Sequence, residues 1–125
     1  MSLLRLVLPI AALALTASAQ PQRIDIQLSN FKFAPATIAM THGQPYVLHL
    51  ANGAGGSHDF VAKTFFAAAA IAPGDRAKIR GGSVELEGGE STEIHRTAPA
   101  PGSYEVHCSH FMHSTFGMTG KIVVR

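Results

Sequence analysis

The chain has few charged residues and only one cysteine. Charged residues make up 14% of its 125 residues, the formal net charge is +2, and lysine and arginine form no cluster. This composition excludes a disordered charged tail and gives no support to nucleic-acid binding, which needs a basic stripe. Because 46% of the residues are hydrophobic, we expect a compact domain and treat it as a monomer.

The chain also lacks an apolar run long enough to cross a bilayer, but its N-terminus has the pattern of a secretory signal. Arg5 precedes an apolar run from Leu6 to Leu15, and Ala17-Ser18-Ala19 has the small residues of a cleavage site. That run is about half the length of the roughly 20 residues in a spanning helix, which argues against an uncleaved anchor. We therefore expect a signal peptide at residues 1–19 and a mature periplasmic domain at residues 20–125, with no membrane span after cleavage.

A lone cysteine cannot form an internal disulfide. In an exported chain Cys108 is therefore a free thiol, a metal ligand or a catalytic nucleophile. The same short segment contains His113 and Met118, each separated from the previous candidate by four residues. Thiolate, imidazole and thioether are the ligand types of a blue-copper site, which needs one more histidine. His58, which follows the glycine-rich loop 52–57, is the candidate for that position.

Alternation of apolar and polar residues predicts a β-sandwich. It is clear at residues 23–28, 46–50 and 104–108, where every second residue is apolar and the strand is expected to be half-buried. With the shorter extended segments between turn signals, we expect seven to eight strands in an antiparallel arrangement. The shorter segments are residues 36–40, 58–62, 83–87, 91–97 and 121–125, and residues 31–33 form a further short extended piece that ends before Pro35.

A short helical insertion is predicted between the middle strands. Residues 64–71 have helix-forming composition with Thr64 as a possible N-cap, and Phe65 and Phe66 are expected to lie in the core. Residues 73–81 predict a further one or two helical turns, with Pro73 at the start. The fold class is therefore all-β with a short helical insertion.

These residues and their spacing resemble the cupredoxins, the family of plastocyanin, azurin and rusticyanin. The resemblance covers residues 23–125 and is strongest from Cys108 through His113 to Met118 and the following Thr-Gly-Lys-Ile-Val-Val. It implies an eight-stranded Greek-key sandwich that binds one mononuclear type 1 copper ion. By position, it implies that His58, Cys108 and His113 are equatorial ligands and that Met118 is the axial ligand.

The resemblance also implies a docking site for a redox partner protein. The histidine of the ligand loop lies near the surface in this family and is the port for electrons, which is His113 here. Its apolar neighbours Phe111, Met112 and Phe116 are the expected docking patch.

Two residues depart from the family pattern. Asp59 stands where many members have asparagine; its carboxylate can accept hydrogen bonds from Ser109, and its charge is expected to lower the reduction potential. His110 stands in the ligand loop where a proline or small residue is usual. We expect it to face solvent or support a ligand, the alternative being that it binds copper. The remaining histidines, His42, His49, His95 and His107, are expected on the surface.

Three functions are compatible with these residues. The first is a one-electron Cu(II)/Cu(I) carrier that is not an enzyme, motivated by the closed set of four ligands. The second is a copper-trafficking or copper-resistance protein, motivated by the additional histidines His107 and His110. The third is a thiol enzyme that uses Cys108 with His110 or His113, although the sequence has no evident orienting residue or oxyanion element for it.

Overall fold

A computed structural model describes Pro9 and residues 20–68 and 71–125 of the chain. The predicted signal peptide therefore lies, apart from Pro9, outside the described residues. In the described ranges, no helix has the length and apolar composition needed to cross a membrane.

The described part of the chain contains nine strands and two short helical segments. The helix α1 (Lys63–Ala67) and a 3-10 helix (Pro73–Lys78) lie between the fifth and sixth strands. The strands are β1 (Gln22–Ser29), β2 (Lys32–Ala34), β3 (Thr37–Met40), β4 (Pro45–Asn52), β5 (His58–Val61), β6 (Ser83–Leu86), β7 (Ser91–Thr97), β8 (Gly102–His107) and β9 (Thr119–Val124).

The strands form two sheets, one in the order β2-β1-β4-β7 and the other in the order β3-β9-β8-β5-β6. The predicted all-β sandwich with a helical insertion is confirmed. The predicted antiparallel arrangement holds for most pairs, but β1 pairs with β4 and β3 pairs with β9 in parallel. Neither parallel pair is joined by a hairpin: the chain crosses to the second sheet for β3 before it returns to β4, and β9 is the last strand of the chain. The ninth strand is β2, which falls on the short extended piece expected at residues 31–33 and pairs with the end of β1.

Side-chain alternation along β4 shows how the core is built. Tyr46, Leu48 and Leu50 are buried between the sheets, whereas Val47 and His49 face the other side and are only half-buried. Leu48 and Leu50 have no exposed surface. Fully burying one such side chain stabilises a fold by roughly 1.5–3 kcal/mol, so the period of two residues dictates which face turns inward.

Helix α1 begins earlier and ends earlier than the sequence predicts. Its N-cap is Ala62, which makes no side-chain capping bond, so the prediction that Thr64 caps the helix is wrong. The reason is that β5 runs to Val61 and the Ala62 N–H donates to the Gly82 carbonyl at 2.9 Å, so the helix starts directly after the strand. Ile71 forms an isolated β-bridge instead of a last helical turn.

The aromatic residues of α1 lie in the core, as predicted. Phe65 is fully buried and packs edge-on against Tyr104 of β8, with ring centroids 5.8 Å apart. Phe66 packs against Phe60 of β5, with ring centroids 6.1 Å apart. The insertion therefore packs onto the sheet that contains β5, which begins with His58, and β8, which ends one residue before Cys108.

Candidate metal centre

The connection between β8 and β9 folds back on itself and joins three predicted ligands. The Cys108 N–H donates to the Met118 carbonyl at 3.1 Å, and the Met118 N–H donates to the His113 carbonyl at 3.0 Å. Gly117 has a φ of 100°, a conformation that favours glycine, and allows the chain to turn before Met118. Met118 is fully buried. Backbone hydrogen bonds therefore bring the residues of this loop to one end of the sandwich.

His58 is brought to the same end by β5 and by the glycine-rich loop that precedes it. Asn52 holds this loop: its side-chain amide donates to the carbonyls of Gly56 at 2.9 Å and Leu86 at 3.1 Å, and its oxygen accepts the Ala54 N–H at 3.0 Å. Sequence analysis missed this role of Asn52. The signal was present, because asparagine at the junction of a strand and a loop often organises the following turn.

Three donor atoms converge although His58 is 50 residues away from the cysteine. The Nδ1 atoms of His58 and His113 are 3.1 Å apart. The Sγ atom of Cys108 lies 3.3 Å from Nδ1 of His113 and 3.8 Å from Nδ1 of His58. Donor atoms that bind one first-row metal ion at roughly 2.0–2.3 Å lie on the order of 3–4 Å from each other. These three residues can therefore hold a common ion without a large rearrangement.

Burial adjusts the protonation of these ligands. It is the main reason that the pKa of His58 is lowered, with His113 and His110 as further causes, and a neutral imidazole is the form that binds metal. Burial also raises the pKa of the Cys108 thiol, although N–H groups of Asp59 and His110 lower it in part. A fully buried thiol of raised pKa is a poor nucleophile, which argues against the thiol-enzyme alternative, whereas a metal ion would deprotonate it directly.

A turn that the sequence analysis did not connect with the site supports His58 from the other sheet. The Oδ1 atom of Asn30, between β1 and β2, lies 3.4 Å from Nε2 of His58. When Nδ1 faces a metal, Nε2 carries the proton and donates it to Asn30, which orients the ring. The sequence had no signal for the proximity of this turn to His58.

Asp59 fixes the start of the ligand loop, as the sequence analysis expected. One carboxylate oxygen accepts the Ser109 N–H at 2.6 Å, and the other accepts the Ser109 hydroxyl. The Ser83 hydroxyl also donates to Asp59, at 3.3 Å. Burial alone would raise the pKa of Asp59, but the hydrogen bonds from Ser109 outweigh it and the pKa is lowered. Asp59 is therefore an ionised brace between β5 and the residue after Cys108.

His110 lies outside the group of converging donor atoms. Its ring stacks on that of His113, with centroids 5.6 Å apart and an interplanar angle of 25°. Its Nε2 donates to the Glu85 carboxylate at 2.7 Å. This position agrees with the expectation that His110 supports a neighbouring histidine.

The other histidines lie on the surface or are partly covered. His42 contacts the Pro99 carbonyl, and His95 contacts a buried carboxylate, that of Asp75. His49 and His107 are half-buried on outward-facing strand positions.

Exposed apolar residues lie in the same loop as the half-buried His113. The predicted patch residues Phe111, Met112 and Phe116 are exposed, Phe111 by 90% and Phe116 by 61%. Phe31, in the turn after β1, belongs to the same surface and was missed by the sequence analysis. Its ring packs edge-on against that of His113 at 5.2 Å and against that of Phe116 at 5.3 Å. Only the packing of the two sheets shows that this distant turn borders the histidine.

Comparison with known proteins gives the same family. The profile of the cupredoxin-like domain matches residues 2–124. The chain is 33% identical over 114 residues to the copper-resistant cuproprotein CopI of Rubrivivax gelatinosus, an alignment that spans 87% of this chain and 69% of CopI.

Solved structures with a similar fold include two auracyanins. Reduced auracyanin from Roseiflexus castenholzii has a TM-score of 0.63 and 22% identity, covering 86% of this chain and 99% of its own. Auracyanin A, a blue copper protein from Chloroflexus aurantiacus, has a TM-score of 0.59 and 20% identity, covering 85% of this chain and 100% of its own. At these identities the similarity establishes the fold.

The fold, the family match and the donor atoms agree. A buried thiol close to two imidazoles is a donor set that fits copper in both oxidation states. Because the family match extends over almost the whole chain, the chain belongs to the cupredoxin family, whose cofactor is copper.

Proposed function

We propose that the chain is an exported one-electron carrier in which His58, Cys108, His113 and Met118 hold a single type 1 copper ion. The observation that carries the proposal is the convergence of Sγ of Cys108 with Nδ1 of the two histidines, all within 3.8 Å of one another. The buried Met118, joined to the same loop by backbone hydrogen bonds, supplies the thioether. The copper ion, when bound, supplies the Cu(II)/Cu(I) couple.

The protein's part in this function is to keep the ligands in place while the charge of the ion changes. Asn30 orients the ring of His58, and Asp59 holds Ser109 and with it the backbone after Cys108. Ligands that are held in this way need little rearrangement when an electron arrives or leaves, and the barrier to transfer is low. No catalytic step on a substrate is part of the proposal.

Electrons would enter and leave through His113. Its ring is half-buried and packs against Phe31. Together with the exposed Phe111, Met112 and Phe116, Phe31 forms an apolar patch that suits transient contact with a redox partner protein. The proposal includes export by residues 1–19 and a periplasmic location of the mature chain, as the sequence pattern indicates.

The first test is spectroscopic. The mature chain with one equivalent of Cu(II) is expected to show an intense visible band from thiolate-to-copper charge transfer and a type 1 EPR signal. Cys108→Ser should abolish the band, because it removes the thiolate, whereas His110→Ala should retain it, because His110 lies outside the donor group. A Cys108→Ser protein with unchanged spectrum and copper affinity would refute the proposal.

The second test addresses the apolar patch by electron self-exchange between oxidised and reduced copies, measured by NMR line broadening. Phe111→Glu is expected to slow self-exchange at least ten-fold, because it places like charges in a contact that is otherwise apolar. Phe111 is 90% exposed, so stability and the visible band should not change. Phe111→Leu is the matched control and should restore most of the rate. Equal rates in all three proteins would exclude this surface from docking.

A role in copper resistance is the second candidate, favoured by the similarity to CopI, which is described as copper-resistant. A protein that hands over copper should lose it quickly to a competing chelator, whereas a carrier should retain it through many redox cycles. Copper loss followed after addition of excess chelator distinguishes the two. Rapid loss with poorly reversible voltammetry would favour the resistance role over the carrier.

A further inference from the structure

We propose that Asp59, Glu85 and His110 form a second metal site, for a divalent cation such as Zn²⁺ or Cu²⁺, beside the copper centre. The proposal uses none of the four copper ligands and does not depend on the function proposed above. It gives a role to the donor atoms of His110, which lies in the ligand loop but is not one of the four proposed copper ligands.

The three side chains already lie at the spacing of metal ligands. One donor atom from each lies within 4.8 Å of the others. Asp59 and Glu85 are directly opposite each other in the antiparallel pair of β5 and β6, so their side chains share a face of the sheet. His110 reaches this face from the ligand loop, and its Nε2 is 2.7 Å from Oε1 of Glu85.

Charge gives a second reason to expect a cation here. Two carboxylates directly opposite each other on neighbouring strands destabilise a sheet unless a positive charge lies between them. Asp59 is only 4% exposed, and hydrogen bonds from serine do not neutralise it. In the described ranges, Glu85 forms an ion pair with His110, which is charged only when it is protonated, and neither carboxylate pairs with lysine or arginine. Lys78 and Arg80 line a depression next to Glu85. Lys78 is paired with Asp75, and among the described residues Arg80 forms no ion pair within 4 Å with either carboxylate.

The donor set selects the class of ion. One imidazole nitrogen and two carboxylate oxygens suit Zn²⁺ and Cu²⁺, whereas Mg²⁺ and Ca²⁺ prefer oxygen ligands alone. The side chains of Glu85 and His110 are 54% and 32% exposed, so an ion can enter from solvent and retain water as a further ligand. The buried Asp59 would bind the ion from the side that faces the protein interior. This set lacks the thiolate and thioether of the neighbouring centre, so it has no preference for Cu(I).

A cation bound at this site would change the reduction potential of the copper centre. Asp59 adjoins His58 in the chain and braces Ser109, and the ring of His110 stacks on that of His113. An additional positive charge this close disfavours Cu(II) relative to Cu(I). Binding of Zn²⁺ should therefore raise the reduction potential of the bound copper.

The test is a Zn²⁺ titration of the mature chain loaded with one equivalent of copper, followed by calorimetry. We expect one Zn²⁺ to bind and the visible copper band to persist. Glu85→Gln and His110→Ala should each weaken Zn²⁺ binding at least ten-fold, because each removes a ligand. Glu87→Gln and His42→Ala, matched changes of an exposed glutamate and an exposed histidine, should not alter the affinity.

A second readout identifies the ligand directly. In the diamagnetic Cu(I) form, Zn²⁺ should shift the NMR signals of the His110 ring and leave those of His42 unchanged. A second equivalent of Cu(II) in place of Zn²⁺ should add a type 2 EPR signal. Absence of Zn²⁺ binding at millimolar concentration would overturn this proposal. So would a Zn²⁺ affinity of the Glu85→Gln and His110→Ala proteins equal to that of the unmodified chain. Loss of the copper band alone would count only against the copper ligands proposed above.

Discussion

Asp75 joins the 3-10 helix to β7, and its replacement by asparagine should cause a loss of stability that depends on pH. Its carboxylate accepts hydrogen bonds from Nζ of Lys78 at 2.7 Å and from the backbone N–H and Nδ1 of His95 at 2.7 and 2.9 Å. Burial alone would raise the pKa of Asp75, but these bonds outweigh it and lower the pKa from 3.8 to about 2.

The magnitude follows from the difference between the pKa in the folded chain and the ordinary value. A change from 3.8 to about 2, at 1.36 kcal/mol per pH unit, contributes about 2.4 kcal/mol to the free energy of unfolding. Because the folded pKa is the lower one, this stability is fully present above about pH 4 and is lost as the pH falls through about 2. Asp75→Asn should therefore cost about 2 kcal/mol at pH 7 and less than about 0.5 kcal/mol near pH 2.

Urea unfolding of the metal-free chain at several pH values measures this difference, and omission of copper removes the pH dependence of metal binding. The matched control is Asp25→Asn, because the side chain of Asp25 is 67% exposed and its pairs with Arg23 and His49 lie at the surface. Such exposed pairs contribute less than about 1 kcal/mol. If Asp75→Asn cost the same at pH 7 and near pH 2, ionic hydrogen bonding would not be the cause of the stabilisation.

Two further predictions concern the support of the copper site. Gly88→Ala should cost roughly 1–3 kcal/mol and lower the melting temperature, because an added Cβ would collide with the backbone of Gly55 in the loop before His58. Gly74→Ala, where an added Cβ meets nothing within 4 Å, is the control, and equal melting temperatures for the two would contradict the steric argument. Asp59→Ala should cost roughly 1.5–3 kcal/mol, since it removes the ionic acceptor of the Ser109 brace. Asp59→Asn should cost less and raise the reduction potential in voltammetry; a lowered potential would contradict the electrostatic role.

The fold class was predictable because its signals are local. Residues Tyr46, Leu48 and Leu50 alternate with less buried neighbours, and the same period of two residues is found in the structure. Phe65 and Phe66 were placed in the core by their size and apolar character. The helix boundary was not predictable, because the end of β5 and the hydrogen bond from Ala62 to Gly82 determined it, and that contact joins residues 20 positions apart.

The candidate site was predictable to the extent that its residues lie in one loop. Cys108 and His113 are close in sequence, and a loop of this length allows them to approach each other. His58 was inferred from the family pattern. Asn30 and Phe31 were missed, since their side chains approach the histidines only after the two sheets pack together.

The sequence by itself determined the period of the strands and the family, and it indicated the donor types around Cys108, because residue type and spacing along the chain are sufficient for each. The tertiary structure alone decided which distant residues meet: Asn30 with His58, Phe31 with His113, and Asp59 with Glu85. The physical reason is that strand register and sheet packing arise from the sum of many weak contacts over the whole core. No single stretch of the chain contains that information.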